Sequence, residues 1–309
     1  MQEHDRIFVA GHRGLVGSAL MRELARLGYT NTLTRSRAEL NLFDSHAVTA
    51  FFMTERPAYV FLAAARVGGI LDNATHPAAF LYDNLRIELN VIHAAYQAGV
   101  RKLLFLGSSC IYPKFAEQPI RETSLMTGAL EETNRAYAIA KIAGIEMCHS
   151  YNAEYGTDYL AVMPTNLYGP NDNFDLTSSH VLPALMRKFH EAKVSGSTEV
   201  TLWGSGAPRR EFLHVDDLAR ACVFLMEQYS GSEIVNIGTG KDITIKELGE
   251  RIADVVGYRG TIAWDTSKPD GTPRKLLDVS RVLGMGWSPQ ITLRDGIGST
   301  YQWFLEYGT

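Results

Sequence analysis

Cysteine is scarce: Cys110, Cys148 and Cys222 are the only three in 309 residues, odd in number and widely spaced. That excludes a disulfide framework and a CxxC metal site, and it points to a reducing compartment. Positive charge is not in excess either. Thirty Lys and Arg against 34 Asp and Glu leave a net charge of −4, without the basic balance of a nucleic-acid binder. Apolar runs fall short of the ~18 residues that a membrane span needs, so no membrane association is expected. Met1 to Arg6 run straight into a short apolar stretch, leaving no room for a secretory signal, and the expected location is cytoplasmic. No His, Cys or carboxylate cluster has zinc-ligand spacing, which disfavours metal catalysis. The length, with 46% hydrophobic residues, predicts two domains.

What is present starts with Arg6–Ala10, a compact apolar run followed by Gly11-His12-Arg13-Gly14-Leu15-Val16-Gly17 and a helical pattern from Ser18 to Leu27. Strand, glycine turn and helix in that order let backbone N–H groups approach a pyrophosphate at a helix N-terminus, so a dinucleotide fits. An NAD site would carry an acidic residue about ~20 positions further on. Here the second strand ends in Thr34-Arg35-Ser36-Arg37. Arg37, with Arg13 in the turn, suits the extra phosphate of NADP, because a guanidinium can bond phosphate oxygens bidentately. Glu39 is the one nearby feature against NADP(H).

Tyr59–Ala65 and Lys102–Gly107 read as buried strands, with helical stretches near 45–54 and 84–98 between them. Alternation of this kind predicts an α/β fold with a doubly wound parallel (Rossmann) sheet, in which Ala63–Ala65 and Gly107–Cys110 line the cofactor cleft at the strand ends. Beyond Tyr168 the alternation weakens. The expected division is a dinucleotide-binding domain over 1–168, with 212–238 returning to it, and a smaller α/β substrate domain over 169–309. Asp216 and Asp217 are expected to cap the helix that follows them.

Between the halves stands Ala136-Tyr137-Ala138-Ile139-Ala140-Lys141. On a helix, Tyr137 and Lys141 share a face, and a nearby ammonium is expected to lower the pKa of the phenol. Alone the spacing is common on helix surfaces. With Gly11-x-x-Gly14-x-x-Gly17, Ser108, Asn166-Leu167-Tyr168-Gly169-Pro170 and Arg210–Asp217 it resembles the extended short-chain dehydrogenase/reductases that act on nucleotide sugars. Gly107–Pro113, Met163-Pro164-Thr165-Asn166, Ser179-His180-Val181 and Lys268–Lys275 narrow the resemblance to the branch that acts on GDP-4-keto-6-deoxy-D-mannose.

The resemblance implies that Ser108, Tyr137 and Lys141 serve reduction at C4, and that Cys110 and His180 serve as base and acid for inversion at C3 and C5. A thiol near ~8.5 and an imidazole near ~6.5 can both exchange protons around neutrality. The resemblance also implies that the cofactor meets His12, Leu15 and Val16 in the turn, Asn41, Leu42 and Ala64 beside it, and Leu106, Gly107 and Ser109 at the fourth strand. Pro164, Thr165, Asn166, Leu167 and His180 complete that set. Lys188, Trp203, Arg210 and Asp270 are implied for the GDP-sugar, with Arg187 as an alternative to Lys188 at the diphosphate. The apolar helical stretches 85–98 and 139–151 are implied to form a homodimer face. Competing readings are a 4-epimerase or 4-reductase without the two inversions, and a protein that binds NADP without catalysis. Cys148 and Cys222, in apolar helical runs, are expected in the core.

Overall fold

The computed structural model describes residues 1–268 and 270–308, so Pro269 of the segment Lys268–Lys275 lies outside the described residues. The first half runs β1 (Ile7–Ala10), α1 (Leu15–Arg26), β2 (Thr32–Leu33), α2 (Ser45–Glu55), β3 (Tyr59–Leu62), α3 (Ile70–Thr75), α4 (Pro77–Gln97), β4 (Lys102–Leu106), α5 (Arg135–Tyr155) and β5 (Asp158–Pro164). The second half continues with β6 (Asn166–Tyr168), α6 (Val181–Ser195), β7 (Glu199–Trp203), β8 (Arg209–His214), α7 (Val215–Gln228) and β9 (Val235–Ile237). It ends with β10 (Asp242–Thr244), α8 (Ile245–Val256), β11 (Thr261–Asp265), β12 (Arg274–Lys275), α9 (Ser280–Gly284) and α10 (Leu293–Tyr307).

The main sheet has the order β2-β1-β3-β4-β5-β9, and every pairing in it is parallel. Parallel strands of this kind are covered by helices on both faces, which explains why β1 and β4 are buried at every position. Their apolar side chains join those of α1, α4, α5 and α7 in one core. The chain returns to that core at 213–237 and again through Leu277, Val279, Val282 and Trp287. The second return has no mark in the sequence pattern.

A second core gathers Tyr168, Phe189, Leu202, Phe212, Ile252 and Phe304 from α6, α8, α10 and the strands beside them. Its hub is β8. The N-terminal half of β8 lies between β10 and β12, and its C-terminal half pairs with β6. Glu211, wholly buried in β8, accepts N–H groups from Thr239 (2.6 Å), Gly240 (2.7 Å) and Leu277 (3.0 Å), tying the hub to the segments that lead back to the first core.

Three local differences from the sequence pattern have physical causes. α1 begins at Leu15 because Gly14, extended at φ −78 and ψ 175, takes the N-cap position. α4 begins at Pro77, whose fixed φ and missing N–H suit a first helical position. Asp216 and Asp217 are not the caps of α7. His214 is, its Nδ1 accepting the Asp216 N–H at 3.2 Å. Asp217 is instead buried and accepts the N–H groups of Gln290 and Ile291, each at 2.9 Å.

Helices α4 and α5 pack closely at Gly144. A Cβ there would stand 2.5 Å from Phe105 Cζ and 3.0 Å from Glu88 Oε2, and both residues are buried. Helix propensity alone favours Gly144→Ala by about 1 kcal/mol. Overpacking is the larger effect, so this variant should be destabilised by ~1–3 kcal/mol, read as a lower urea midpoint at unchanged slope. A raised midpoint would show that the gap at Gly144 is not needed.

Candidate active site

The glycine turn is shaped by close backbone crossings. Gly11 has φ +87, and a Cβ on it would lie 2.8 Å from the Ala64 nitrogen; one on Gly17 would lie 2.0 Å from the Gly11 carbonyl oxygen. Only glycine permits both approaches. Gly14 brings no side-chain cap to α1, so the first N–H groups of the helix are open to an anion. A pyrophosphate fits this cradle.

At the far end of the cradle the two arginines of the second loop part company. Arg35 is engaged by Glu55 at 2.7 Å and by the Thr34 carbonyl at 2.8 Å. Arg37 lies over the Phe43 ring at 5.0 Å and has no carboxylate partner among the described residues. Glu39 turns back on its own loop, where its Oε2 accepts the Ser36 N–H at 2.7 Å. The acidic residue is thereby withdrawn from any ribose. Asn41, Leu42 and Phe43 are held against α4 by Asn90 Nδ2, which donates to the Leu42 carbonyl at 2.9 Å, and by Arg86, which donates to that of Phe43.

The end of β4 carries the chemistry. Ser108 caps a short turn over Ser109–Ile111, its Oγ accepting the Cys110 N–H at 3.2 Å. One turn of α5 separates Tyr137 from Lys141. Lys141 is 2% exposed, donates to the Leu106 carbonyl at 2.9 Å and lies 3.2 Å from Glu88 Oε1. Its Nζ is 5.9 Å from the Tyr137 ring centre. The expected lowering of the phenol's pKa is not found. Burial, then Cys110 and Glu88, push it up, and bonding to Ser108 only partly opposes them. Glu88, buried itself, is raised by desolvation, with Lys141 acting against the rise. The lysine's charge is thus largely matched by a carboxylate that the sequence reading missed; its only mark is a lone acid within the apolar run 85–98.

Cys110 lies on the same turn, half-buried. Its sulfur accepts from Asn134 Nδ2 at 3.3 Å and from Lys275 Nζ at 3.6 Å. Across the cleft, His180 caps α6 at its N-terminus. The residue as a whole keeps solvent exposure, while its ring lies among the surrounding protein groups. Desolvation by the cleft walls, and then Lys275, hold its pKa below the usual imidazole value. Gly69 supports this segment: its N–H donates to the Ser178 carbonyl at 2.8 Å, and a Cβ would lie 2.8 Å from the Ser179 carbonyl oxygen. The remaining strand-end residues are tied to β8 and β9. Thr165 N donates to Ile237, and Asn166 Nδ2 donates to the Glu211 carbonyl at 2.8 Å. Gly107 lies against Met163, beside Pro164.

In the second unit a cavity of about 140 Å³ is lined by Val181, Leu185, Lys188, Trp203 and Trp264 among others. Trp203 is 69% exposed, with Lys188 and Lys268 at 5.7 and 5.6 Å from its ring centre, so it offers a flat face between cations. Arg187 is turned away to Glu191 at 2.7 Å, leaving Lys188 as the one that faces the cavity. Arg210 is desolvated, which lowers its pKa, and no carboxylate among the described residues pairs with it. A half-buried guanidinium without an acid suits an anionic ligand. Asp270 is committed to the Trp203 turn, accepting from Ser205 N at 2.9 Å and Ser205 Oγ at 2.6 Å.

A parallel Rossmann sheet, a glycine cradle and a Ser-Tyr-Lys set at the strand ends define a nucleotide-dependent oxidoreductase or epimerase class. The chain belongs to the NAD dependent epimerase/dehydratase family, whose profile matches residues 7–238. It is 61% identical over 306 residues to putative GDP-L-fucose synthase 2 of Arabidopsis thaliana, covering 99% of this chain and 93% of that one. It is 57% identical to GDP-L-fucose synthase of Escherichia coli (strain K12), covering 98% of this chain and 97% of that one. Among solved structures, a GDP-L-fucose synthetase from Naegleria fowleri bound to NADP superposes with a TM-score of 0.92 at 31% identity, covering 100% of this chain and 97% of that one.

The His180 environment has a direct consequence. Because desolvation and Lys275 disfavour the imidazolium, the ring should titrate below ~6.5 and be neutral at pH 7 in the ligand-free chain. Only the unfolded chain then gains this proton as pH falls below that value, so His180 erodes stability on acidification. Ring-nitrogen NMR of the ¹⁵N-labelled protein checks this; a midpoint at or above ~6.5 would contradict the assigned surroundings.

Proposed function

We propose that this chain converts GDP-4-keto-6-deoxy-D-mannose to GDP-L-fucose, inverting C3 and C5 and then reducing C4 with NADPH. The observation that carries the reading is the turn Ser108–Cys110: a hydroxyl suited to a C4 oxygen and a thiol suited to a carbon-bound proton stand on one turn, which the Cys110 N–H closes by donating to Ser108 Oγ at 3.2 Å.

The 4-keto group makes the protons at C3 and C5 acidic, since loss of either gives an enolate that donors can stabilise. Cys110 removes the proton from one face and His180 supplies one to the other. His180 must hold a proton for that role, and the negative diphosphate of the substrate favours it. A proton then passes from thiol to imidazole through solvent to reset the pair. Held in the glycine cradle, a bound NADPH would supply the hydride that C4 takes up. Tyr137 gives its proton to the resulting alkoxide, and Ser108 bonds the same oxygen. Once C4 is an alcohol, the neighbouring carbons lose their acidity and the reaction ends. In the bound state Lys141 orients the nicotinamide ribose.

The cradle of Gly11, Gly14 and Gly17 suits the pyrophosphate of NADP(H), and Arg13 and Arg37 suit its 2′-phosphate. Ala64, Leu106, Gly107, Ser109 and Pro164 to Leu167 form the walls. Trp203 stacks the guanine, Lys188 and Arg210 neutralise the diphosphate, and Asp270 holds the Trp203 turn in place. We assign the first core to a cofactor unit and the second to a substrate unit. α4 and α5 leave Leu89 and Ile139 exposed, which supports a homodimer formed through these helices. No helix among the described residues is long and apolar enough to cross a membrane; we infer a cytoplasmic enzyme.

Two measurements test the reading. Cys110→Ser should cut solvent-deuterium entry at C3 and C5 by ~100-fold or more while NADPH oxidation on the unepimerised ketone persists. Formation of GDP-L-fucose at the normal rate by this variant would remove Cys110 from the mechanism. Arg37→Ala should raise the KM for NADPH by ~10–100-fold, the loss of one charged hydrogen-bonding partner, and leave that for NADH nearly unchanged. Equal changes for both cofactors would show that Arg37 does not read the 2′-phosphate.

A further inference from the structure

Lys275 belongs to no part of the mechanism above, yet its charge reaches both residues that move carbon-bound protons in it. It comes from β12, far along the chain. The parallel register of β12 with β8 sets Lys275 beside Arg210, so the substrate unit carries it to the mouth of the cofactor unit. Its Nζ lies 3.6 Å from Cys110 Sγ. No carboxylate among the described residues lies within ion-pair distance of it, whereas Arg209 and the adjacent Arg274 both engage Asp242. The sulfur is the one side-chain acceptor that the half-buried ammonium meets among the described residues.

We propose that Lys275, together with Asn134, is a positioning residue for epimerisation, holding the Cys110 sulfur in its anionic, proton-accepting form. This rests on the functional reading given above. The groups that face the sulfur come from three elements: the Ser108 hydroxyl through the Cys110 N–H, the Asn134 amide and Tyr137 phenol at the start of α5, and Lys275 from β12. Two of them donate to sulfur and one of those is a cation; no carboxylate is among them. Glu88 faces Tyr137 and Lys141 from α4. The same ammonium faces His180 and weakens that ring's hold on its proton, as an acid delivering a proton to carbon requires. One charge thus disfavours the protonated form of both groups, leaving the sulfur anionic and making the imidazolium the stronger acid. Lys275 itself gains and loses nothing. The thiolate takes the proton of C3 or C5, the electron pair passes to the C4 oxygen as an enolate, and the carbon recovers a proton from His180.

The test is alkylation of the native protein by iodoacetamide, followed at the Cys110 peptide by mass spectrometry between pH 6 and pH 10. Cys148 and Cys222 are wholly buried and remain unlabelled while the fold is intact, so they report misfolding in the same spectrum. Lys275→Met should slow labelling of Cys110 ~10-fold at pH 7, with the difference closing towards pH ~10, where a thiol ionises unaided. Lys275→Arg, which keeps the charge, should remain within ~3-fold of the wild type. A Lys275→Met rate equal to wild type throughout, or slower by one constant factor at every pH, would overturn the proposal, since the second pattern reports access and not ionisation. Deuterium entry at C3 and C5, measured alongside, separates the two readings. Lys275-dependent labelling in a wild-type protein that exchanges no substrate protons would overturn the assigned function and leave the lysine–thiol contact standing.

Discussion

A lysine sealed beneath a sheet has to be matched, and most of the reductive site follows from how Lys141 is matched. Its ammonium has 2% exposure and is held by the Leu106 carbonyl at the tip of β4 and by Glu88 from α4. A buried ion with one partner removed is strongly unfavourable, so the pair fixes the distance between α4, α5 and the strand end. Gly144 admits the carboxylate, and Phe105 lies under the ammonium at 4.6 Å. Tyr137, one helical turn earlier, is placed by the same clamp. The price of this rigidity is electrostatic: Glu88 offsets the charge that would otherwise draw the phenol's proton away, and burial reinforces it.

The second constraint is the hub strand β8. Glu211 accepts three backbone N–H groups that no water could satisfy in the core, and in doing so it fixes the turn at 239–240 and the start of the return at 277. That turn leads into β10 and that return follows β12, so β8 and β12 set Arg210 and Lys275 side by side in register. The second core therefore delivers charge, through Lys275, to the Cys110 turn that is built at the end of β4.

Much of this was legible in residue order. Gly11 and Gly17 announce their positions because no other residue tolerates the backbone crossings found there. Tyr137 and Lys141 announce theirs by helical spacing. Ser108, Cys110 and His180 became legible only through resemblance, since a lone serine, cysteine or histidine carries no periodic signal. What stayed hidden depends on packing between distant elements. Glu88 looks like a solvated helix residue until α5 is laid against α4. Asn134 and Lys275 are separated by 141 positions (275 − 134), and only the folded chain brings both to one sulfur. The cap of α7 was misread for a related reason: two aspartates in a first turn look like caps, but Asp217 is drawn into the core by the Gln290 and Ile291 N–H groups, and His214 is left to cap.

The two half-reactions make opposite demands on one small volume. Proton abstraction wants an anion beside the sugar, whereas quenching the alkoxide wants a loaded acid there. The geometry reconciles them by coupling the two groups. Negative charge on Cys110 disfavours negative charge on Tyr137, so the state that can abstract a carbon proton is also the state in which the phenol keeps its own. In the proposed reaction Tyr137 would keep its proton through both inversions and release it only to the alkoxide, far more basic than either group, that forms at C4. The thiol and the phenol are close enough to sense each other's charge, and in the proposed reaction the order of steps is set by the loss of acidity at C3 and C5 once C4 is reduced.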